Sequence, residues 1–334
     1  MRIQFDDMLN EFKRVLVKKG LNEEDAYISA KLFAENSLDG VYSHGINRFP
    51  RVISYIDKGY IDVNAKAEKV DGNGCFERWD GNRAIGNLNA KICMDRAIEL
   101  AKNHGVGVVA IKNTNHWMRG GAYGWQAADA GCVGICWTNT MPNMPAWGAK
   151  DRRIGNNPFI MAIPRSNGDH VVVDSAMSQF SYGKIEEHKL KGTQLPVVGG
   201  YDTEGNVTTD PLEIEKTWRV LPIGYWKGSG MSIALDLIAT VLSGGYSTTD
   251  VGQKCEDEYG LSQVLIAIDP SRFNSEEMTD AMIDNVLQDI KSSEPEKENG
   301  KISYPGERTI ATRRENLDKG IPVIESIWQE ITNM

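Results

Sequence analysis

Histidine is scarce in this chain, with five in 334 residues, and the short signatures of common chemistries are missing. There is no HExxH and no paired CxxC, and the acidic clusters fall in expected loops without ligand spacing, so no metal centre is expected. The absence of GxSxG removes the familiar serine hydrolase frame, and Ser43 beside His44 is a poor nucleophile because adjacent side chains on a helix point apart. Gly105-Val-Gly107-Val-Val-Ala110 satisfies a loose dinucleotide-binding pattern by letters alone. Its context is reversed, with a helix before it and a strand after, which excludes a Rossmann turn.

No apolar run reaches bilayer length. The most apolar segment, Ser232 to Leu242, is too short to span and carries Asp236. The start, Met1 to Met8, lacks the basic region and apolar core of a signal peptide, so a cytoplasmic protein is expected. Basic residues are in deficit, 37 Lys and Arg against 46 Asp and Glu, and the net charge of −9 argues against nucleic acid or an anionic membrane as partner. A negatively charged substrate then needs a local positive site, which Arg48 or Arg119 can supply. Five widely spaced cysteines fit reduced thiols, and Cys132 and Cys136 read as small buried apolar residues.

What is present is a globular pattern, 41% hydrophobic, with enough apolar content for one large domain or two moderate ones. Residues 1–72 read as helical: Phe5, Met8, Leu9, Phe12, Val15 and Leu16 form a stripe ending at Gly20, and Asn22 caps a following helix whose first turn is acidic. Residues 73–304 alternate helix and strand, with strands expected at Val106–Ile111, Val133–Asn139, Phe159–Ile163, Val171–Asp174 and Val264–Ile268. Gly228 to Leu242 reads as a glycine turn and a helix apolar nearly all round, expected in the core. Gly228-Ser-Gly230 leaves two readings open, a phosphate-facing turn or close helix packing. Residues 292–300 read as a solvated loop, and the tail 305–334 returns to helix and is expected to join the N-terminal domain.

Two stretches carry chemistry. In Ser43-His44-Gly45-Ile46-Asn47-Arg48 a helical conformation places His44 and Arg48 at i and i+4, about 5–6 Å apart on one face. The pair suits an acidic carbonyl substrate: a guanidinium grips a carboxylate through two parallel bonds, and an imidazole gives a proton to the neighbouring carbonyl oxygen. The second stretch is Asn115-His116-Trp117-Met118-Arg119-Gly120-Gly121. His104, in Asn103-His104-Gly105, reads instead as an ordinary helix C-terminus.

The motif Ser43-His-Gly-Ile-Asn-Arg48, with Ile85-Gly86-Asn87, makes nearly the whole chain resemble the type 2 malate/L-lactate dehydrogenase family. The likeness is closest to the branch of 2,3-diketo-L-gulonate reductases. It rests on the runs Asn115 to Ala128, Gly134 to Asn139, Trp147 to Lys150, Gly224 to Ser232 and Asp257 to Gly260.

The resemblance implies an α/β fold with a layered mixed sheet of the L-sulfolactate dehydrogenase-like type, a non-Rossmann nicotinamide-binding fold with a helical N-terminal domain. It implies an NAD-dependent oxidoreductase, with NADP as the alternative, acting on a small keto or hydroxy acid as a homodimer whose active site lies near the subunit interface. The reaction implied is reduction of 2,3-diketo-L-gulonate to 3-dehydro-L-gulonate, hydride going to the C2 carbonyl and His44 giving the proton. The alternatives are a malate- or lactate-type hydroxy-acid dehydrogenase and a non-catalytic sugar-acid binder. Arg48, His116, Ser43 and Asn115 are the expected substrate residues. His116 stands between a hydrogen-bond donor and a structural residue, Arg119 is a candidate for cofactor phosphate, and Trp117 and Trp125 either pack or line a sugar-acid pocket. The cofactor segments fall on His170, Val171, Val172, Val173, Asp174, Ser175 and Ala176, on Trp226 and Lys227, and on Gly306, Glu307 and Arg308. Two departures stand out: the turn Arg165–His170 is longer than the branch pattern, and Glu307-Arg308 stands where His-Glu is expected.

Overall fold

A computed structural model describes residues 1–297 and 300–334; residues 298 and 299, inside the expected polar loop 292–300, lie outside the described part. Its centre is a seven-stranded mixed sheet. In spatial order the strands are Glu68–Asn73, Phe76–Asp80, Val106–Asn115, Tyr259–Ile268, Val133–Thr138, Phe159–Ile163 and Val171–Ser175. Only the Phe76–Asp80 and Val106–Asn115 neighbours run parallel, and the helix Gly86–His104 crosses between them; every other pairing in the sheet is antiparallel. A single crossover helix is what one parallel pair requires, since parallel strands cannot be joined by a hairpin.

The helical layer rests on its own core. The helices Phe5–Lys18 and Glu23–Leu38 bury the stripe read from the sequence, and Asn22 Oδ1 accepts from the Asp25 amide at 2.9 Å as the expected cap. Phe12 and Phe49 stack at 4.3 Å while Phe33 meets Phe49 edge-on at 5.2 Å. All three rings are fully buried, each contributing about 1.5–3 kcal/mol by area alone. The tail belongs to the same cluster through Ile321 and Ile331, and Arg2–Ile3 pairs antiparallel with Ile321–Pro322.

Three expectations need correction. The strand Glu68–Asn73 is exposed along its length, so it carries no apolar alternation that the sequence could show, and the 72/73 boundary falls inside it. The helix Trp226–Ser243 is not enclosed: Leu235 and Ala239 are buried, but Met231, Ile233, Leu237, Ile238 and Val241 are exposed. It covers the sheet with one face only, and apolar letters all round do not distinguish an enclosed helix from one with an uncovered apolar face. The segment around His44 is not one helix but two 3-10 turns, Tyr42–His44 and Ile46–Arg48, broken at Gly45.

Candidate active site

Gly45 explains that break. Its φ of −111° and ψ of −119° turn the chain sharply, and a Cβ there would lie 2.2 Å from Ser37 Oγ and 3.0 Å from Phe33 O. The preceding helix holds the turn from below: the Ile46 amide donates to Ser37 Oγ at 2.9 Å, and Asn36 Nδ2 donates to His44 O at 3.1 Å. Gly86 does the equivalent work for the second stretch, since a Cβ there would meet the Asn115 and His116 carbonyls at 2.3 Å. The helix Gly86–His104 can therefore seat against the end of the strand that carries His116.

Both stretches open onto one cavity of about 1230 Å³. His44 and His116 stack there, ring centres 5.8 Å apart, with Arg48, Arg51 and Glu258 in the same wall. His116 Nδ1 accepts from the Met118 amide at 3.0 Å, which puts the proton of the neutral ring on Nε2 and makes that atom a donor. Burial, reinforced by Arg48 and His44, holds the His116 pKa well below its usual value.

His44 Nδ1 lies 2.9 Å from Ser43 Oγ. A hydroxyl can donate to the neutral ring and accept from the charged one, so Ser43 serves both states. Burial first, then Arg48 and Arg119, push the His44 pKa down to about 4. The imidazole is thus neutral at pH 7 before a ligand enters. An incoming carboxylate opposes the two guanidinium groups and so favours the protonated ring.

The arginines differ in how far they are engaged. Arg51 donates to the Tyr55 hydroxyl at 2.8 Å and to Asp257 at 3.1 Å, and Tyr55 donates to Asp257 as well. Arg48 has one bond among the described residues, to Glu258 Oε2 at 3.4 Å. Arg48 is the freer cation. Arg119 also lines the cavity, but it is 5% exposed and paired with Asp39 and Asp174, which leaves it less free than Arg48 to meet a cofactor phosphate.

The remaining expected residues divide. Asn115 is buried outside the cavity wall, its amide donating to the Tyr60, Arg83 and Ala84 carbonyls. It braces the turn before His116 rather than facing a substrate. Val172, Val173, Asp174 and Ala176 line the cavity; Val171 and Ser175 do not. The His170 ring is also absent from the wall, since Nδ1 accepts from the Arg165 amide and Nε2 sits 2.9 Å from Asp129. Gly306 and Arg308 line it, while Glu307 turns away to Lys291 at 2.8 Å. Trp226 and Lys227 are exposed and outside the cavity of their own chain. Gly228 is packed on Ile223, whose carbonyl a Cβ would meet at 2.2 Å and which accepts from the Gly228 amide at 2.8 Å, so close packing accounts for this glycine. Trp117 packs in the core and Trp125 lines the cavity. Gly105 ends a helix with φ +88° and Gly107 lies in a strand, as the rejected dinucleotide pattern required. Sequence reading missed Glu258 as a site residue: it is 210 positions from Arg48, and only folding joins them.

The whole chain also has relatives among known proteins. A family model described as malate/L-lactate dehydrogenase matches residues 3–332. A 2,3-diketo-L-gulonate reductase of Escherichia coli O17:K52:H18 (strain UMN026 / ExPEC) is 50% identical over 331 residues, 99% of each chain. One from Citrobacter koseri is 49% identical over the same length, again covering 99% of each. Among solved structures, the sulfolactate dehydrogenase of Methanocaldococcus jannaschii superposes with a TM-score of 0.91 at 32% identity, covering 100% of this chain and 97% of that one. The malate dehydrogenase of Pyrococcus horikoshii OT3 gives 0.89 at 29%, covering 99% and 93%. With its mixed non-Rossmann sheet and paired histidines, the chain belongs to the malate/L-lactate dehydrogenase family of oxidoreductases.

Proposed function

We propose that this protein reduces 2,3-diketo-L-gulonate to 3-dehydro-L-gulonate with NADH, His44 giving the proton to the C2 oxygen. The observation that carries this is the meeting of His44, His116 and the lightly engaged Arg48 in one cavity. It is joined to full-length relatives bearing that reductase name.

The cavity suits a nicotinamide dinucleotide beside a small acid. At about 1230 Å³ it exceeds the roughly 300–1,000 Å³ of a single-ligand pocket. Gly306, at φ +102°, keeps one wall thin, since a Cβ there would come within 2.8 Å of His170 O. Arg308 stands in the first turn of the helix Glu307–Lys319 with no ion pair among the described residues, a favourable place for a phosphate. Val172 to Asp174, Ala176, Gly306 and Arg308 would hold the cofactor, whose reduced ring supplies the hydride.

The chain's own groups do the rest. Arg48 grips the substrate carboxylate and sets the adjacent carbonyl against His44. His116 donates from Nε2 and steadies the charge that develops on oxygen. His44, protonated once the carboxylate has entered, passes its proton to that oxygen while Ser43 keeps a hydrogen bond to Nδ1 throughout. The uncovered apolar face of the helix Trp226–Ser243 supports a homodimer. Trp226 and Lys227 could then reach a cofactor only from the second copy.

The test is oxidation of NADH, and separately of NADPH, with 2,3-diketo-L-gulonate, pyruvate and oxaloacetate. Preference for the diketo acid supports the assignment. Better turnover of oxaloacetate or pyruvate would move the protein to the malate- or lactate-type reaction, and no turnover would remove the reductase reading.

A further inference from the structure

The cavity wall holds a carboxylate that the reaction itself does not use. Glu258 is 6% exposed and lies just before the strand Tyr259–Ile268. Its two oxygens have one long contact each, Oε2 to Arg48 Nη2 at 3.4 Å and Oε1 to the Met141 amide at 3.4 Å. A buried carboxylate has room for about four hydrogen bonds, so this one retains acceptor capacity. It also ties Arg48, the expected carboxylate grip, to the segment Thr140–Asn143, all of which lines the cavity. Asn143 Oδ1 in that segment has no partner among the described residues.

Such a wall discriminates by chemistry. A hydroxyl on a substrate's carbon chain can donate to Glu258 and complete its bonding, whereas a second carboxylate has nothing to donate and meets a fixed like charge. We infer that Glu258 is the specificity residue of this site, accepting from a hydroxyl of a polyhydroxylated keto acid and turning away keto dicarboxylates. This rests on the reductase reading above. Sites built to bond a hydroxyl reject analogues lacking it far more strongly than apolar pockets do, because the buried polar group is left unpaired. The same carboxylate keeps Arg48 from being an indiscriminate anion trap, since the arriving acid must draw the guanidinium from a contact already stretched to 3.4 Å.

The experiment compares the full-length protein with Glu258→Gln and Glu258→Asp, using NADH oxidation with 2,3-diketo-L-gulonate, oxaloacetate and pyruvate. Pyruvate carries the carboxylate and the carbonyl without a tail, so its change measures whatever the substitution does to Arg48 and is divided out. After that correction, Glu258→Gln should lower kcat/KM for the diketo acid about tenfold and raise it for oxaloacetate about tenfold, so the ratio between them falls about 100-fold. Glu258→Asp keeps the charge with a shorter reach: discrimination against oxaloacetate should persist while the diketo acid still loses. This rescue of one arm alone is something a structural role would not give, and it stands if the Gln variant fails to fold. Equal factors on all three substrates, or an unchanged ratio, overturn the inference. If the wild type reduces none of the three, calorimetric binding of L-gulonate and L-malate reads the same selectivity without turnover. A wild-type preference for L-gulonate that Glu258→Gln removes would then uphold the wall while the reductase reading falls; no such preference would sink both.

Discussion

Glu77 and Glu258 are both buried carboxylates beside arginines, at 1% and 6% exposure, and they are bonded very differently. Glu77 accepts from Arg96 at 2.7 and 3.0 Å, from Lys69 at 2.7 Å and from the Trp79 indole at 3.0 Å. Its hydrogen bonds, those from Arg96 foremost, hold its pKa down to about 2. Glu258 has two contacts, both at 3.4 Å. The first cluster locks the strand Phe76–Asp80 to the helix Gly86–His104 and has nothing left to offer a ligand. The second faces the cavity with capacity unused. A buried charge that is fully bonded belongs to the scaffold; one that is under-bonded in a cavity wall belongs to recognition.

The largest effect should come from crossing the two clusters. Arg48→Gln should lower kcat/KM by about 10²–10³, the cost of losing a charged two-bond grip on the substrate. His44→Asn should cost about 10²–10⁴ in kcat while the fold persists, as removal of a general acid does. Steady-state kinetics beside thermal melts check both. A wild-type rate in either variant would break the assignment of the pocket.

Glu77→Ala should do the opposite. Removing the shared acceptor takes a partner from Arg96, Lys69 and Trp79; Lys69 is 47% exposed and Arg96 29%, so water takes up part of the loss, and the cost should be about 1–3 kcal/mol of stability. Urea unfolding should show it, with kcat/KM of the folded fraction unchanged. A kinetic defect there would blur the line between scaffold and site.

These two regions were unequally legible in the sequence. The helical stripe Phe5 to Leu16, the Asn22 cap and the strand Phe159–Ile163 were readable because periodicity and capping are local. His44, Arg48 and His116 were readable as chemistry, since imidazole and guanidinium residues at short spacing have few structural reasons to sit together. The 3-10 break at Gly45 was not, because the reason for it lies in Ser37 and Phe33. Asn115 and His170 misled for the same cause: a polar residue inside a motif often braces the backbone, and only the three carbonyls around Asn115 or Asp129 beside His170 show that. Glu258 was invisible as a site residue because its partners, Arg48 and Met141, are remote in the chain.

Acid separates the clusters more gently. The folded-state pKa of Glu77 is depressed from 4.5 to about 2, so its contribution is present above about 4.5 and is lost as pH falls through about 2. His44 is also depressed, from 6.5 to about 4, but as a base: the unfolded chain takes the proton first, so stability falls as pH drops from about 6.5 toward 4. Glu77→Gln should flatten the lower window and His44→Asn the upper one in urea titrations. Arg48→Gln should also raise the His44 pKa seen by NMR, since a guanidinium that opposes its charge is gone. For reduction, kcat/KM should fall as pH rises above the free-enzyme pKa of His44, because the proton to be given becomes rarer.

The smallest effect tests whether burial, not the pKa, makes the scaffold. Glu187 is held down to about 2, as Glu77 is, through hydrogen bonds from Lys191 and Lys184. Its side chain is 42% exposed, however, so water and salt screen both lysines and the long side chains lose entropy in holding one geometry. Glu187→Gln should therefore change stability by no more than about 1 kcal/mol, and 1 M salt should erase even that, while most of the loss at Glu77 should survive the salt because its carboxylate is only 2% exposed and also accepts from the Trp79 indole. Were the two glutamates to respond alike, the depth of a pKa shift would be the measure of a structural charge. If only Glu77 responds, what fixes a carboxylate's role in this fold is where its bonds are made, out of water in the scaffold or left incomplete in the cavity wall at Glu258.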